Sequence, residues 1–185
     1  GDVMQLLKKN KQEDNTIFIF LGEQGPQFPG GKWTCWDYGQ KSSMIVKWPG
    51  IILPNKLTDA IVQYEDITPT IIDIAVGKPI DSLDGKSFLS VLKGTSNVAR
   101  DYAFGMYNNI PEGPSYPSRS IRSSRYKLIL NLSPEKTYSI KWYDTPGDFN
   151  LWESWKEKAK INNKASFLVN RVSNRPAIEF YDLAK

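Results

Sequence analysis

Thr16-Ile17-Phe18-Ile19-Phe20-Leu21 runs without a polar break into Gly22-Glu23-Gln24-Gly25, and Gly30-Gly31-Lys32-Trp33-Thr34 follows shortly after. An apolar run with no alternating polar face predicts a strand buried on both sides, as in a parallel sheet covered by helices. In open α/β sheets, ligands bind beyond the carboxyl ends of the strands. Glu23 and Gln24 stand at that end, with Lys32 a few residues on. Carboxylate and amide oxygens suit a hard metal ion, and an ammonium group suits an anion.

Outward from this stretch, residues 2–9 place Val3, Met4, Leu6 and Leu7 at helical spacing. Residues 43–48 read as a second strand, closed by Pro49-Gly50. Thr68 is predicted to cap a helix with Pro69 at its first position, Ile71, Ile72 and Ala75 on the buried side, and Gly77 as the stop. Asp81 and Asp84 read as turn residues before a short helix at 87–93. Gly94-Thr95-Ser96-Asn97 is the expected boundary. Beyond it, residues 102–107, 119–121, 126–130, 139–143 and 179–183 predict short antiparallel strands, with one amphipathic helical stretch at 151–172. The expected class is α/β: residues 1–95 at the edge of an α/β sandwich, and residues 96–185 as a small antiparallel α+β subdomain packed on it.

Composition narrows the function. The 185 residues are 40% hydrophobic, enough to supply a core. The formal charge of +4 is spread along the chain, so the lysines near Lys8 and from Lys156 to Lys164 read as solvated helix faces and nucleic acid is not an expected partner. A single cysteine excludes an intrachain disulfide framework and a thiolate zinc site, and there is no histidine. No apolar run reaches membrane-spanning length, and no signal peptide stands at residue 1.

Further segments add to the first. They are Gly31-Lys32-Trp33-Thr34, Ile45-Val46-Lys47-Trp48-Pro49-Gly50, Asp66-Ile67-Thr68-Pro69-Thr70, Leu83-Asp84-Gly85-Lys86-Ser87, and the late strands at Arg125-Tyr126-Lys127-Leu128 and Phe180-Tyr181-Asp182-Leu183. In this order and spacing the chain resembles the C-terminal portion of the sulfatase family, within the alkaline-phosphatase-like superfamily. The nearest branch resembles enzymes acting on N-acetylglucosamine and N-sulfoglucosamine sulfates of the heparan type. The resemblance implies calcium bound by Glu23 and Gln24, which stand for the family's Asp and its His or Asn with one extra methylene each. It implies a sulfate contact for Lys32. It also implies a formylglycine nucleophile, made from a Cys or Ser in an N-terminal half that this chain lacks, which attacks sulfur at the calcium site and forms a covalent sulfoenzyme. A periplasmic, secreted or lysosomal setting goes with the family.

Two stretches imitate the nucleophile. Cys35 lies in Cys35-Trp36-Asp37-Tyr38-Gly39, without the Pro and Arg of the maturation motif, and reads as a semi-buried packing residue. Ser115-Tyr116-Pro117-Ser118-Arg119 spells the serine form, but it runs into a β-rich segment instead of a helix. Arg119 and Arg122 are the candidates for clamping a sulfate or carboxylate elsewhere on the sugar, with cross-strand ion pairing as the alternative. Trp33, Trp36 and Tyr38 suit either sugar stacking or packing of the loop. The expected function is removal of sulfate from a sulfated, glycosaminoglycan-derived glucosamine, this chain alone being inactive. A metal-dependent phosphate or phosphonate hydrolase and a non-catalytic sugar-binding module are the alternatives.

Overall fold

In the computed structural model, which describes residues 1–78, 82–144 and 150–184, the elements run α1 (Asp2–Lys9), β1 (Phe18–Leu21), α2 (Asp37–Gln40), β2 (Met44–Lys47), α3 (Ile67–Val76), α4 (Leu89–Leu92), β3 (Ala103–Tyr107), β4 (Ser118–Arg122), β5 (Tyr126–Asn131), α5 (Lys141–Asp144), α6 (Leu151–Ala159), α7 (Asn163–Ser173) and β6 (Ile178–Asp182). Packing divides them into two units. One joins Gly1–Glu23 to Ser42–Ala103, the other Gln24–Lys41 to Phe104–Lys185. Residues 24–41 therefore pack with the C-terminal sheet. Asp81 lies outside the described residues.

In the first unit β1 pairs antiparallel with β2, Phe18 opposite Lys47 and Leu21 opposite Met44. The expectation of a strand buried on both faces is corrected here. Among the described residues β1 has β2 as its ladder partner, and a two-stranded ribbon covers neither face fully, so Phe20 and Ile45 are 49% and 60% exposed. The helix expected from Thr68 begins earlier. A 3-10 turn at Tyr64–Asp66 leads into α3, and the Gln63 amide donates to Asp66 Oδ2 at 2.8 Å in a capping box that displaces Thr68 from the cap. Gly77 ends α3 in the left-handed region at φ 76°, as expected.

The Asp66-to-Thr70 and Leu83-to-Ser87 motifs hold this unit together. Asp66 is fully buried and accepts from the Lys86 amide at 2.8 Å and from Arg100 Nη2 at 2.6 Å. Thr70 Oγ1 donates to the Asp66 carbonyl at 2.6 Å and accepts from the Phe88 amide at 3.0 Å. A Cβ on Gly85 would lie 1.9 Å from the Glu65 carbonyl oxygen, so only glycine permits this approach.

The second unit is built on a sheet of order β3-β4-β5-β6. β4 pairs antiparallel with β5, Ser120 opposite Ile129 and Arg122 opposite Lys127, and β5 pairs antiparallel with β6, Ile129 opposite Glu179. Strand alternation puts Ser118, Ser120, Lys127, Asn131 and Glu179 on one buried face. Phe104, Met106, Leu130, Ile178 and Phe180 are exposed. The buried face is satisfied internally: Ser118 Oγ and Asn131 Oδ1 are 2.9 Å apart, and Asn131 Nδ2 donates to Glu179 Oε1 at 2.7 Å.

Two expected elements change. Residues 139–143 are not a strand. Ile140 and Tyr143, three apart, both enter a core with Tyr116, Tyr138, Trp152 and Val172, and α5 starts at Lys141. The stretch 151–172 is two helices, because Asn162 stops the run and caps α7 by accepting from the Ala165 amide at 3.0 Å. Among the described residues no helix is long and apolar enough to cross a membrane.

Candidate active site

The Gly-Lys-Trp-Thr loop is folded by its own backbone. The Phe28 and Lys32 amides both donate to the Pro26 carbonyl, at 2.8 and 2.9 Å. Thr34 Oγ1 donates to the Gly31 carbonyl at 2.8 Å and accepts from the Trp36 amide at 3.3 Å, so the threonine of the motif is a brace. A Cβ on Gly31 would lie 2.3 Å from the Pro26 carbonyl oxygen, and one on Gly39 equally close, 2.3 Å, to that of Gly31. Trp33 sits at φ 71°, an outlier for a bulky side chain. Its carbonyl accepts from the Tyr138 hydroxyl at 2.8 Å.

Lys32 is half-buried, with Nζ 5.6 Å from the Trp33 ring centroid. Glu23 and Gln24 are exposed, just beyond the end of β1. Glu23 closes the first segment of one unit and Gln24 opens the other. Among the described residues no three His, Cys, Asp or Glu side chains gather as a metal cluster. The donor chemistry of Glu23 and Gln24 fits calcium, a hard ion, but it fills only part of the roughly six to eight oxygens that calcium takes.

Arg119 and Arg122 do not converge. Three positions apart on β4, they leave opposite faces of the strand. Arg119 Nη1 donates to Asn108 Oδ1 and to the Ser118 carbonyl, at 2.9 and 2.8 Å. Arg122 Nε donates to Asp37 Oδ2 at 3.0 Å. Lys127, 2% exposed, donates to Asp37 Oδ1 and Gln40 Oε1, both at 2.9 Å, tying α2 to the sheet. Burial works against the Asp37 carboxylate, but the hydrogen bond and charge of Lys127, with Arg122, outweigh it and hold its pKa below the ordinary value. Burial lowers the pKa of Lys127, more than Asp37 raises it.

The two imitations of the nucleophile lie in different settings. Cys35 is buried, and burial pushes its thiol up more than the Lys127 charge lowers it. Ser115 is exposed in the loop before β4. Trp33 and Trp36 pack on the aromatic core, whereas Tyr38 is 56% exposed.

Three residues that bear on the loop gave no sequence signal of that role: Asp37, Tyr138 and Arg175. Arg175 is 4% exposed and stacks on Tyr138 at 3.7 Å and Trp36 at 4.7 Å. Trp36 Nε1 in turn donates to Glu179 Oε2 at 2.7 Å. Burial pushes the Tyr138 hydroxyl well above the usual phenol range, so it stays protonated as a donor.

Residues 31–183 match the family described as "N-sulphoglucosamine sulphohydrolase, C-terminal". The chain belongs to that family. An ulvan-active sulfatase of Formosa agariphila is 37% identical over 122 residues, covering 65% of this chain and 24% of the relative. The fold is that of the sulfatases. The structure of BT4656 in complex with its substrate D-glucosamine-2-N,6-O-disulfate superposes with TM-score 0.60 at 21% identity, over 96% of this chain and 39% of that one. The phosphonate monoester hydrolase SpPMH from Silicibacter pomeroyi gives TM-score 0.59 at 25% identity, over 70% of this chain and 29% of that one. This chain thus spans a quarter to two fifths of the length of these three proteins.

Proposed function

We propose that this chain is the C-terminal part of an enzyme that hydrolyses a sulfuric ester or sulfamate on a sulfated sugar, with glycosaminoglycan-derived glucosamine as the substrate class. The observation that carries the reading is the braced loop that presents Lys32, within a chain of the N-sulphoglucosamine sulphohydrolase family. As the bond from sulfur to the leaving group breaks, negative charge grows on oxygen. An ammonium held beside that oxygen stabilises the transition state beyond the ground state.

Glu23 and Gln24 would hold calcium through carboxylate and amide oxygens, with further ligands from the rest of the polypeptide. Calcium there would supply Lewis-acid polarisation of a sulfate oxygen. The formylglycine nucleophile belongs to the N-terminal part of the same polypeptide, so this chain by itself is inactive. Arg119, and Arg122 through the nitrogens not given to Asp37, are assigned to anionic groups elsewhere on the sugar. A periplasmic, secreted or lysosomal setting accompanies this reading.

A phosphonate or phosphate monoester is the second reading, favoured by the likeness to a phosphonate monoester hydrolase. Side-by-side assays of aryl sulfate and aryl phosphonate decide between the two.

The test is Lys32→Ala in the full-length polypeptide. The expected result is a fall in kcat of about two to three powers of ten, as for loss of one preorganised donor, while exposed Lys158→Ala changes little. A rise in KM with normal kcat would reduce Lys32 to general attraction of anions, and equal behaviour of the two variants would remove the assignment.

A further inference from the structure

We propose that Tyr138 is a positioning residue for Lys32, acting through the backbone of Trp33. The inference rests on the reading of Lys32 as the sulfate contact and extends it to what aims that side chain. Trp33 follows Lys32 directly and holds φ 71°, a conformation bulky L residues avoid. Contacts available only in that conformation must maintain it.

Tyr138 supplies one of them. Its hydroxyl donates to the Trp33 carbonyl at 2.8 Å across 105 positions of sequence. The Trp33 ring adds a tilted contact with Trp142 at 6.4 Å. A return of Trp33 to negative φ would turn its carbonyl away from Tyr138 and reorient the peptide that joins it to Lys32.

Tyr138 is fixed and cannot follow such a movement. Only 2% of its surface is exposed. The Arg175 guanidinium covers its ring at 3.7 Å, Tyr116 meets it edge-on at 5.4 Å, and its own amide donates to the Ser173 carbonyl at 2.7 Å. The guanidinium is itself oriented, Nε donating to the Val172 carbonyl at 3.1 Å. A side chain locked in this way is a fixed stop for the loop, the kind of support that holds a reacting group to a fraction of an ångström. The geometry therefore runs from Arg175 through the Tyr138 hydroxyl and the Trp33 carbonyl to the side chain of Lys32.

The experiment measures kcat and KM for sulfate release from an aryl sulfate by the full-length polypeptide. Tyr138→Phe is compared in two backgrounds, Trp33 and Trp33→Gly, with rates expressed per folded enzyme from circular dichroism. Glycine takes positive φ freely, so in that background the loop needs no stop. Expected is a loss in kcat of about tenfold or more for Tyr138→Phe with Trp33 present, KM staying within about twofold, and a loss under about twofold with Trp33→Gly. Trp33→Asn carries the same comparison should Trp33→Gly fail to fold, since asparagine tolerates the left-handed region. Equal losses in both backgrounds would make Tyr138 merely structural and overturn the proposal. So would an unchanged kcat for Tyr138→Phe in an enzyme that Lys32→Ala disables. If Lys32→Ala leaves kcat intact, the reading of Lys32 falls first, and this proposal with it.

Discussion

Arg100 Nη2 donates to Asp66 Oδ1 at 2.6 Å, in an ion pair that leaves the carboxylate no exposed surface. Gln63 and Glu65 also accept from the same guanidinium, through Nη1. Removing one partner of a buried pair strands the other charge and costs about 3–5 kcal/mol. Arg100→Ala should therefore lower unfolding stability by about 3 kcal/mol in urea titrations. A shift of a few tenths would show that the two backbone amides on Asp66 suffice alone.

Two glycines of the first unit separate steric from conformational demand. A Cβ on Gly85 meets the Glu65 carbonyl oxygen at 1.9 Å, while Gly77, at φ 76°, has nothing within 4 Å. Gly77→Ala should cost only about 1–2 kcal/mol, the left-handed penalty. Gly85→Ala must displace backbone and should cost more, seen as the larger fall in melting temperature. Equal costs would mean that the loop before α4 yields easily.

Acid should loosen α2 from the sheet. With the folded pKa of Asp37 below the ordinary 3.8, its contribution to stability is full above that value and is lost as pH falls through the folded pKa. Lys127 acts in the same sense at high pH: its pKa is lowered from 10.5, so stability rises with pH between the folded value and 10.5. Asp37→Asn should flatten the acid limb of a stability-against-pH curve. An unchanged acid limb would assign it to other carboxylates.

Much of the first unit was legible because its signals are local. Gly77 stops a helix by its own conformational freedom, and β1 and β2 follow from short apolar runs. Thr68 misled because the competing capping box, from Gln63 to Asp66, lies upstream in a 3-10 turn that periodicity does not reveal. Residues 139–143 carry aromatic and β-branched side chains that favour a strand, but tertiary packing of Ile140 and Tyr143 decided otherwise. At the candidate site, the loop around Lys32 could be picked out from its glycines. Its supports could not, since Asp37 meets Lys127 across 90 positions and Trp36 meets Glu179 across 143.

Cys35 should resist thiol reagents in the folded chain, being 2% exposed with a raised pKa. Labelling with iodoacetamide, followed by mass, should proceed only after denaturant is added. Rapid native labelling would show that the loop opens.

Glu23→Ala should weaken calcium binding by the full-length polypeptide more than Gln24→Ala, because it deletes a formal charge along with a ligand. Calorimetric isotherms that coincide for wild type and Glu23→Ala would take Glu23 out of the coordination sphere.

The threading of residues 24–41 into the second unit bears on the order of synthesis. Those residues leave the ribosome long before Lys127, Tyr138 and Glu179 exist to receive them, and Trp36 waits for a partner 143 positions downstream. Neither unit is a contiguous stretch of chain, and the second, which joins Gln24–Lys41 to Phe104–Lys185, cannot complete itself until the C-terminal residues have been made. Contacts of such sequence separation close slowly. The loop that presents Lys32 is therefore expected to be among the last parts of the molecule to settle, and a nascent chain released before Glu179 would leave Trp36 Nε1 without its acceptor.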